Sequence, residues 1–261
     1  MGKRKYFFFD IDNTIAIGFP RVVPESTRRA IKALQDKGHY VSIATGRMHV
    51  MTKDFCQDLG INNMVTDGGN GLVVDGKVDI EPLDRDMVIS IVDEFEEKNI
   101  PWSICLDDTR MWYTKDRTFP DAMEKILRLK SYMDTTIVEN MDIRDYDTIY
   151  KGFAYLNLEE EARLEGLKNV TYTRYSDHYI IIEPDDKSKG IKKLMKIMDI
   201  KDEDIVVFGD NTNDIKMFRP EWTKIAMGNS VDSLKDLADF VTKDADDDGI
   251  EYACKHFGWI D

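Results

Sequence analysis

The stretch Tyr6-Phe7-Phe8-Phe9-Asp10-Ile11-Asp12-Asn13-Thr14 constrains the chain more than any other. Four aromatic residues in a row cannot alternate between core and water. They read as a short strand covered on both faces, as in a parallel sheet between helix layers. Two carboxylates follow at i and i+2. Alternate residues of an extended chain point the same way, which predicts Asp10 and Asp12 side by side at the C-terminal end of the strand. In open α/β sheets that edge binds ligands. Adjacent carboxylates repel each other unless a cation or a shared proton relieves them. Oxygen ligands of this kind suit magnesium, which takes one or two carboxylates with waters and a substrate phosphate. An acidic turn after a core strand uses the same residue types, and this stretch alone does not separate the two readings.

The chain that follows supplies a rhythm. Pro24 to Lys37 carries Ala30, Ile31, Ala33 and Leu34 at helical spacing, with Gly38 as a stop. Tyr40-Val41-Ser42-Ile43-Ala44 reads as a second buried strand, ending in Thr45-Gly46-Arg47, and a helix resumes through Met51, Phe55 and Leu59. Strand and helix in alternation imply a parallel sheet with right-handed crossovers. Asp75-Gly76 between Leu72-Val74 and Lys77-Ile80 is a two-residue hairpin signal. From about Pro82 to Asp185 the rhythm changes to an α+β pattern: a helix over Val88, Ile91, Val92 and Phe95, then strands at Trp102-Leu106 and Met111-Thr114. A helix over Asp121 to Leu129, a strand at Gly152-Leu156, a helix over Glu159 to Leu167 and strands at Val170-Tyr175 and Tyr179-Glu183 complete it. The first rhythm returns with a helix from Lys189-Gly190 and the strand Asp204-Phe208, which ends in Gly209-Asp210-Asn211-Thr212-Asn213-Asp214. The expected organisation is one domain of residues 1–81 and 186–261, with an inserted domain of 82–185.

Charge and cysteine content narrow the partners. A formal net charge of -14 argues against a binder of nucleic-acid backbones, which carry basic patches. A small anionic substrate needs only a local cation and a few N–H groups. Cys56, Cys105 and Cys254 form no CxxC pair, and His39, His49, His178 and His256 form no metal motif. No apolar run approaches the roughly 20 residues of a membrane span. The reading is of a cytoplasmic protein without nucleic-acid or membrane partners, monomeric or weakly dimeric.

Asp10 with Asp12, Thr45-Gly46, Lys189, and Asp210 with Asn213-Asp214 all fall where strands end. Each alone has an ordinary reading as a cap, a solvated lysine or a turn. Together they form the inventory of phosphoryl transfer: a nucleophile, an acid/base, metal ligands and cations for the equatorial oxygens. Asp10-x-Asp12-x-Thr14, Thr45-Gly46-Arg47, Lys189-Gly190 and Gly209-Asp210-Asn211-Thr212-Asn213-Asp214 resemble, in order, the four motifs of the haloacid dehalogenase (HAD) superfamily. The chain is most similar to its Cof-type, subclass IIB branch of sugar-phosphate phosphatases, with Asn13 where that branch usually has Gly. The resemblance implies a Rossmann-like parallel-sheet core with an inserted α+β cap of the C2B type.

The same resemblance implies a mechanism. Asp10 attacks phosphorus to form an aspartyl-phosphate, and Asp12 is the general acid and then base. Mg2+ is held by the Asp10 carboxylate, the Asp12 backbone carbonyl and Asp210. The Ile11 N–H, Thr45, Gly46, Arg47, Lys189 and Asn213 hold the phosphoryl group, with Asp214 orienting the lysine or metal waters. Candidates for leaving-group contacts are Arg47, Trp102, Asp107, Asp108, Arg110, Tyr113, Asp177, His178 and Tyr179. The expected substrate is a small phosphomonoester such as a sugar phosphate. The alternatives are a phosphomutase, a non-catalytic phosphosugar sensor and a receiver-like domain phosphorylated on Asp10.

Overall fold

The computed structural model describes residues 3–18, 20–127 and 133–261. The chain divides into two compact units, Met1–Ile80 with Asp186–Asp261, and Glu81–Asp185. The elements of the first segment are β1 (Tyr6–Phe9), α1 (Glu25–Asp36), β2 (Tyr40–Ala44), α2 (His49–Gln57), β3 (Met64–Thr66), β4 (Gly71–Val74) and β5 (Lys77–Ile80). The inserted unit holds α3 (Arg85–Glu97), β6 (Trp102–Cys105), β7 (Met111–Thr114), α4 (Thr118–Leu127), β8 (Asp134–Ile137), β9 (Lys151–Tyr155), α5 (Leu158–Glu161), β10 (Tyr172–Ser176) and β11 (Tyr179–Ile182). The last segment holds α6 (Lys187–Met198), β12 (Ile205–Gly209), β13 (Thr223–Ala226), α7 (Asp232–Lys235), β14 (Phe240–Val241) and α8 (Gly249–His256).

The first unit is built on an eight-stranded sheet of order β14-β13-β12-β1-β2-β3-β4-β5. Neighbours from β14 to β3 are parallel, and β4 and β5 close the edge as an antiparallel hairpin. Its turn, Asp75-Gly76, has φ of 50° and 77°, the doubly left-handed backbone that a two-residue hairpin requires. The aromatic run does what its composition demands. Phe7 and Phe9 pack with Ile31 and Leu34 of α1 and with Ile250 and Ala253 of α8. Phe8 packs with Ile191, Leu194 and Met195 of α6 on the other face. Burying one Phe side chain contributes roughly 1.5–3 kcal/mol, so this strand anchors both helix layers at once.

The strand order reverses at β1, with β2 on one side and β12, the sixth strand of this sheet in sequence, on the other. Such a switch point opens a crevice at the C-terminal edge. Register makes that edge level, because Phe9 pairs with Phe208 and with Ile43. Asp10, Gly209-Asp210 and Ala44-Thr45 therefore leave the sheet at one height.

The inserted unit is a six-stranded sheet of order β10-β11-β9-β6-β7-β8, antiparallel except for β7 with β8. Val88, Ile91, Val92 and Phe95 of α3 pack against Trp102, Ile104, Ala154, Ile180 and Ile182. Two sequence expectations are corrected here, and one strand is new. The helix expected over Glu159 to Leu167 is the short α5 followed by a 3-10 turn at Gly166–Asn169. The Glu94 carboxylate accepts from the Glu165 and Gly166 N–H groups, which fixes that break. β8 is a strand with no counterpart in the sequence reading. Trp102, a candidate for the leaving group, is a core residue only 2% exposed. Arg128 and Leu129 of the expected helix end lie outside the described residues.

Candidate active site

The site is assembled at that level edge, entirely within the first unit. Asp10 is the first residue past β1, and its N–H still donates to the Phe208 carbonyl at 3.0 Å. The chain then turns. Ala16 and Thr14 donate to the Ile11 carbonyl at 2.8 and 3.4 Å, and Asn13 sits at φ 57°. A turn in place of extended chain thus separates Asp10 from Asp12, and the two carboxylates take different partners. Asp10 is 4% exposed and receives Lys187 Nζ on Oδ1 at 2.6 Å. Asp12 is partly open and receives Arg47, from Nη2 to Oδ1 at 2.6 Å and from Nε to Oδ2 at 3.0 Å. Arg21 Nε adds an ion pair to the same Oδ1 at 2.6 Å.

Lys187 stands where the sequence reading expects Lys189. The two are two residues apart at the start of α6, hence about 200° apart around a helix of 3.6 residues per turn. Lys187 is 1% exposed and bridges Asp10 Oδ1 and Asp214 Oδ1, each at 2.6 Å. Lys189 instead reaches Asn70 Oδ1 at 2.9 Å in an exposed position. The sequence did hold the signal. Lys187, Gly190, Ile191, Leu194 and Met195 are buried and recur at i, i+3, i+4, i+7 and i+8, one face of a helix. Gly190 lets that face lie close to β3, since a Cβ there would stand 2.4 Å from Val65 Cγ1.

The loop after β12 supplies the remaining carboxylates. Asp214 Oδ2 accepts from the N–H groups of Asp210 and Asn211 at 2.9 and 3.2 Å, so this side chain shapes the turn. Asp210 Oδ1 accepts from Thr14 Oγ1 at 3.2 Å. Asn213 Oδ1 is buried without a hydrogen-bond partner. Thr45 is 1% exposed at the end of β2, where its Oγ1 accepts from the Arg47 N–H at 3.2 Å. Gly46 lies between them, and Ile11 turns its side chain into the core. Asn229 donates to the Asn13 carbonyl at 2.9 Å and accepts from the Ala245 N–H at 2.8 Å, tying the β1 loop to the C-terminal segment. Lys187, Arg21 and Asn229 are the residues the sequence reading does not assign to the site.

One carboxylate oxygen from each of Asp10, Asp210 and Asp214 lies within 4.8 Å of the others, and all three residues are buried. Asp12, expected to ligate through its backbone carbonyl, keeps its carboxylate outside this cluster, on the arginines. Three carboxylates against the single ammonium of Lys187 leave two negative charges. Burial, with Asp214 adjacent, accordingly pushes Asp10 up to about 8 against the pull of Lys187. Burial and Asp214 likewise push Asp210 up to about 7. Burial draws the Lys187 ammonium down, but Asp10 and Asp214 outweigh it and raise its pKa. A hard divalent cation would balance that charge, so the donor set fits Mg2+.

The family description "haloacid dehalogenase-like hydrolase" matches residues 7–253. The chain belongs to that family. It is 33% identical over 266 residues to YkrA of Bacillus subtilis, whose name provisionally calls it a phosphatase, and the match spans 98% of each chain. A solved hypothetical protein of Geobacillus kaustophilus superposes with a TM-score of 0.85 at 30% identity, over 99% of this chain and 100% of that one. The structure of BT4131, described as a HAD subclass IIB sugar phosphatase, gives a TM-score of 0.78 at 26% identity, over 98% of this chain and 100% of that one. The parallel-sheet unit is thus a HAD core carrying an inserted cap, and the chain is a phosphatase of the HAD type. Among the described residues no helix is long and apolar enough to cross a membrane.

Proposed function

We propose that this protein is a Mg2+-dependent phosphatase that hydrolyses small phosphomonoesters, sugar phosphates among them, through an aspartyl-phosphate on Asp10. The observation that carries the reading is the buried bridge from Lys187 to Asp10 and Asp214 beside Asp210, in a chain of this family. By holding Asp10 Oδ1, Lys187 directs Oδ2 toward phosphorus. The Asp10–phosphorus bond forms as the ester bond to the leaving oxygen breaks, and Asp12 gives its proton to that oxygen. Asp12 then takes a proton from the water that attacks phosphorus, and the bond to Asp10 breaks to release phosphate. For either transfer Asp12 exchanges one arginine contact for the reacting oxygen.

Asp10, Asp210 and the Asp12 backbone carbonyl would hold the cation, with Asp214 fixing the loop and the lysine. Bound there, the cation would neutralise the phosphoryl oxygens and the converging carboxylates. Thr45, Gly46, Asn213 and the Ile11 N–H are assigned to the phosphoryl oxygens together with Lys187, which takes over the role first given to Lys189. The name of BT4131 supports sugar phosphates as the substrate class.

The test is phosphate release from a panel of sugar, polyol and aryl phosphates, with Mg2+ and with EDTA. Turnover that needs the metal, and that falls by more than about a thousandfold in Asp10→Asn, is the expected result. Equal inertness of wild type and variant on every ester would overturn the reading.

A further inference from the structure

Lys187 is outnumbered by three carboxylates, whereas the Asp12 carboxylate receives two guanidiniums, Arg21 and Arg47, on one oxygen, Oδ1. Arg47 alone makes the paired hydrogen bonds that hold this acid, and Arg21 is added to it in a chain whose formal total is -14. The side chain of Arg21 is 31% exposed and that of Arg47 27%, so both remain open to solvent and to a substrate. Their roles differ. Arg47 makes the paired hydrogen bonds to Asp12 and is committed to holding it. Arg21 makes an ion pair there, and the loop that carries it fixes its direction: Ile17 and Val22 exchange backbone hydrogen bonds of 2.9 Å, and Arg21 Nη1 donates to the Gly18 carbonyl at 2.7 Å.

We propose that Arg21 is a specificity-determining residue for a second anionic group, a carboxylate or another phosphate, on the leaving-group side of the substrate. The proposal rests on the phosphatase reading and narrows its substrate class. An acid that protonates the leaving oxygen must come within about 2.6–3.2 Å of it. Substituents one or two carbons from that oxygen then fall within reach of the guanidinium beside Asp12. A planar fork of donors matches a carboxylate or phosphate better than any neutral hydroxyl. The transferred phosphoryl group already has Lys187 on its side of the site, so Arg21 is best matched by charge on the other side.

Matched esters that differ only in this charge provide the test: glycerol 3-phosphate against 3-phosphoglycerate, and 2-hydroxyethyl phosphate against phosphoglycolate. Wild type should favour the acidic member of each pair by about tenfold or more in kcat/KM, the worth of one charge-assisted hydrogen bond. Arg21→Gln should collapse that ratio to within about twofold, mainly through the KM of the acidic ester. Calorimetric binding of the three-carbon pair to Asp10→Asn reads the same preference without turnover, so an inactive enzyme would count against the phosphatase reading separately. No preference in wild type would overturn the proposal. So would an Arg21→Gln variant that loses equally on both members, which would mean that the arginine serves the transferred phosphoryl group.

Discussion

Lys187 and Lys189 carry the same charge two residues apart, and their surroundings separate them. Lys187 is enclosed between Asp10 and Asp214, whereas Lys189 lies in an exposed position against Asn70. Removing one partner of a buried ion pair typically costs about 3–5 kcal/mol, because the other charge is left unpaired. Lys187→Met should therefore destabilise the metal-free protein by about 3 kcal/mol and cut kcat more than about a hundredfold. Lys189→Met should change both little, and urea melts with steady-state assays on the two variants decide the matter. Asn13 is a milder case. It occupies φ 57°, which costs an ordinary L-residue about 1–2 kcal/mol and costs glycine or asparagine much less. Asn13→Gly should leave stability within a few tenths of a kcal/mol, and Asn13→Ala should lose about 1 kcal/mol in the same melts.

At the scale of elements, strands and helices were legible wherever a single periodicity governed them. β1, β2, α1 and the β4–β5 hairpin carry uninterrupted patterns, so the parallel core could be read from residue order alone. β8 could not, because Asp134–Ile137 has a largely exposed and polar composition and pairs with β7 through backbone. The split after α5 was hidden because its cause, Glu94, lies 71 residues away from Glu165. Asp12 shows the opposite limit: the local rule of strand alternation was carried three residues beyond Phe9, the end of β1, into a turn. The motif glycine at the end of β12 is a packing requirement, since a Cβ on Gly209 would stand 2.6 Å from Asp214 Oδ2. Gly209→Ala should displace that carboxylate, cost about 1–3 kcal/mol and lower kcat, as melts and assays will read. In the inserted unit, Lys151 of β9 forms a buried ion pair with Glu183, just past β11, and the Tyr175 hydroxyl donates to the same carboxylate at 3.4 Å. Glu183→Leu alone should cost about 3 kcal/mol, while Lys151→Met with Glu183→Leu should recover most of it, a double-mutant cycle readable from thermal melts.

For the whole molecule, the acidic cluster links stability to both pH and metal. Asp10 and Asp210 are held up at about 8 and about 7. A carboxyl whose pKa is raised on folding stabilises the protein while protonated. That contribution is complete below the unfolded value near 4 and is lost as pH rises through the folded value. The metal-free protein should accordingly weaken progressively from about pH 4 to pH 8. A divalent cation binds the deprotonated carboxylates, so protons compete with it and its stabilising effect grows over the same interval. At a hundred times its dissociation constant a ligand adds about 2.7 kcal/mol, and each kcal/mol moves the Tm of a chain of this size by about 2–4 °C. Mg2+ should then raise Tm by about 5–10 °C over EDTA at pH 8, and by clearly less at pH 5.5. Asp210→Asn removes one of the carboxylates and should shrink the pH 8 shift toward zero. A Mg2+ shift of equal size at both pH values, or one that survives in Asp210→Asn, would place the cation elsewhere on this acidic protein.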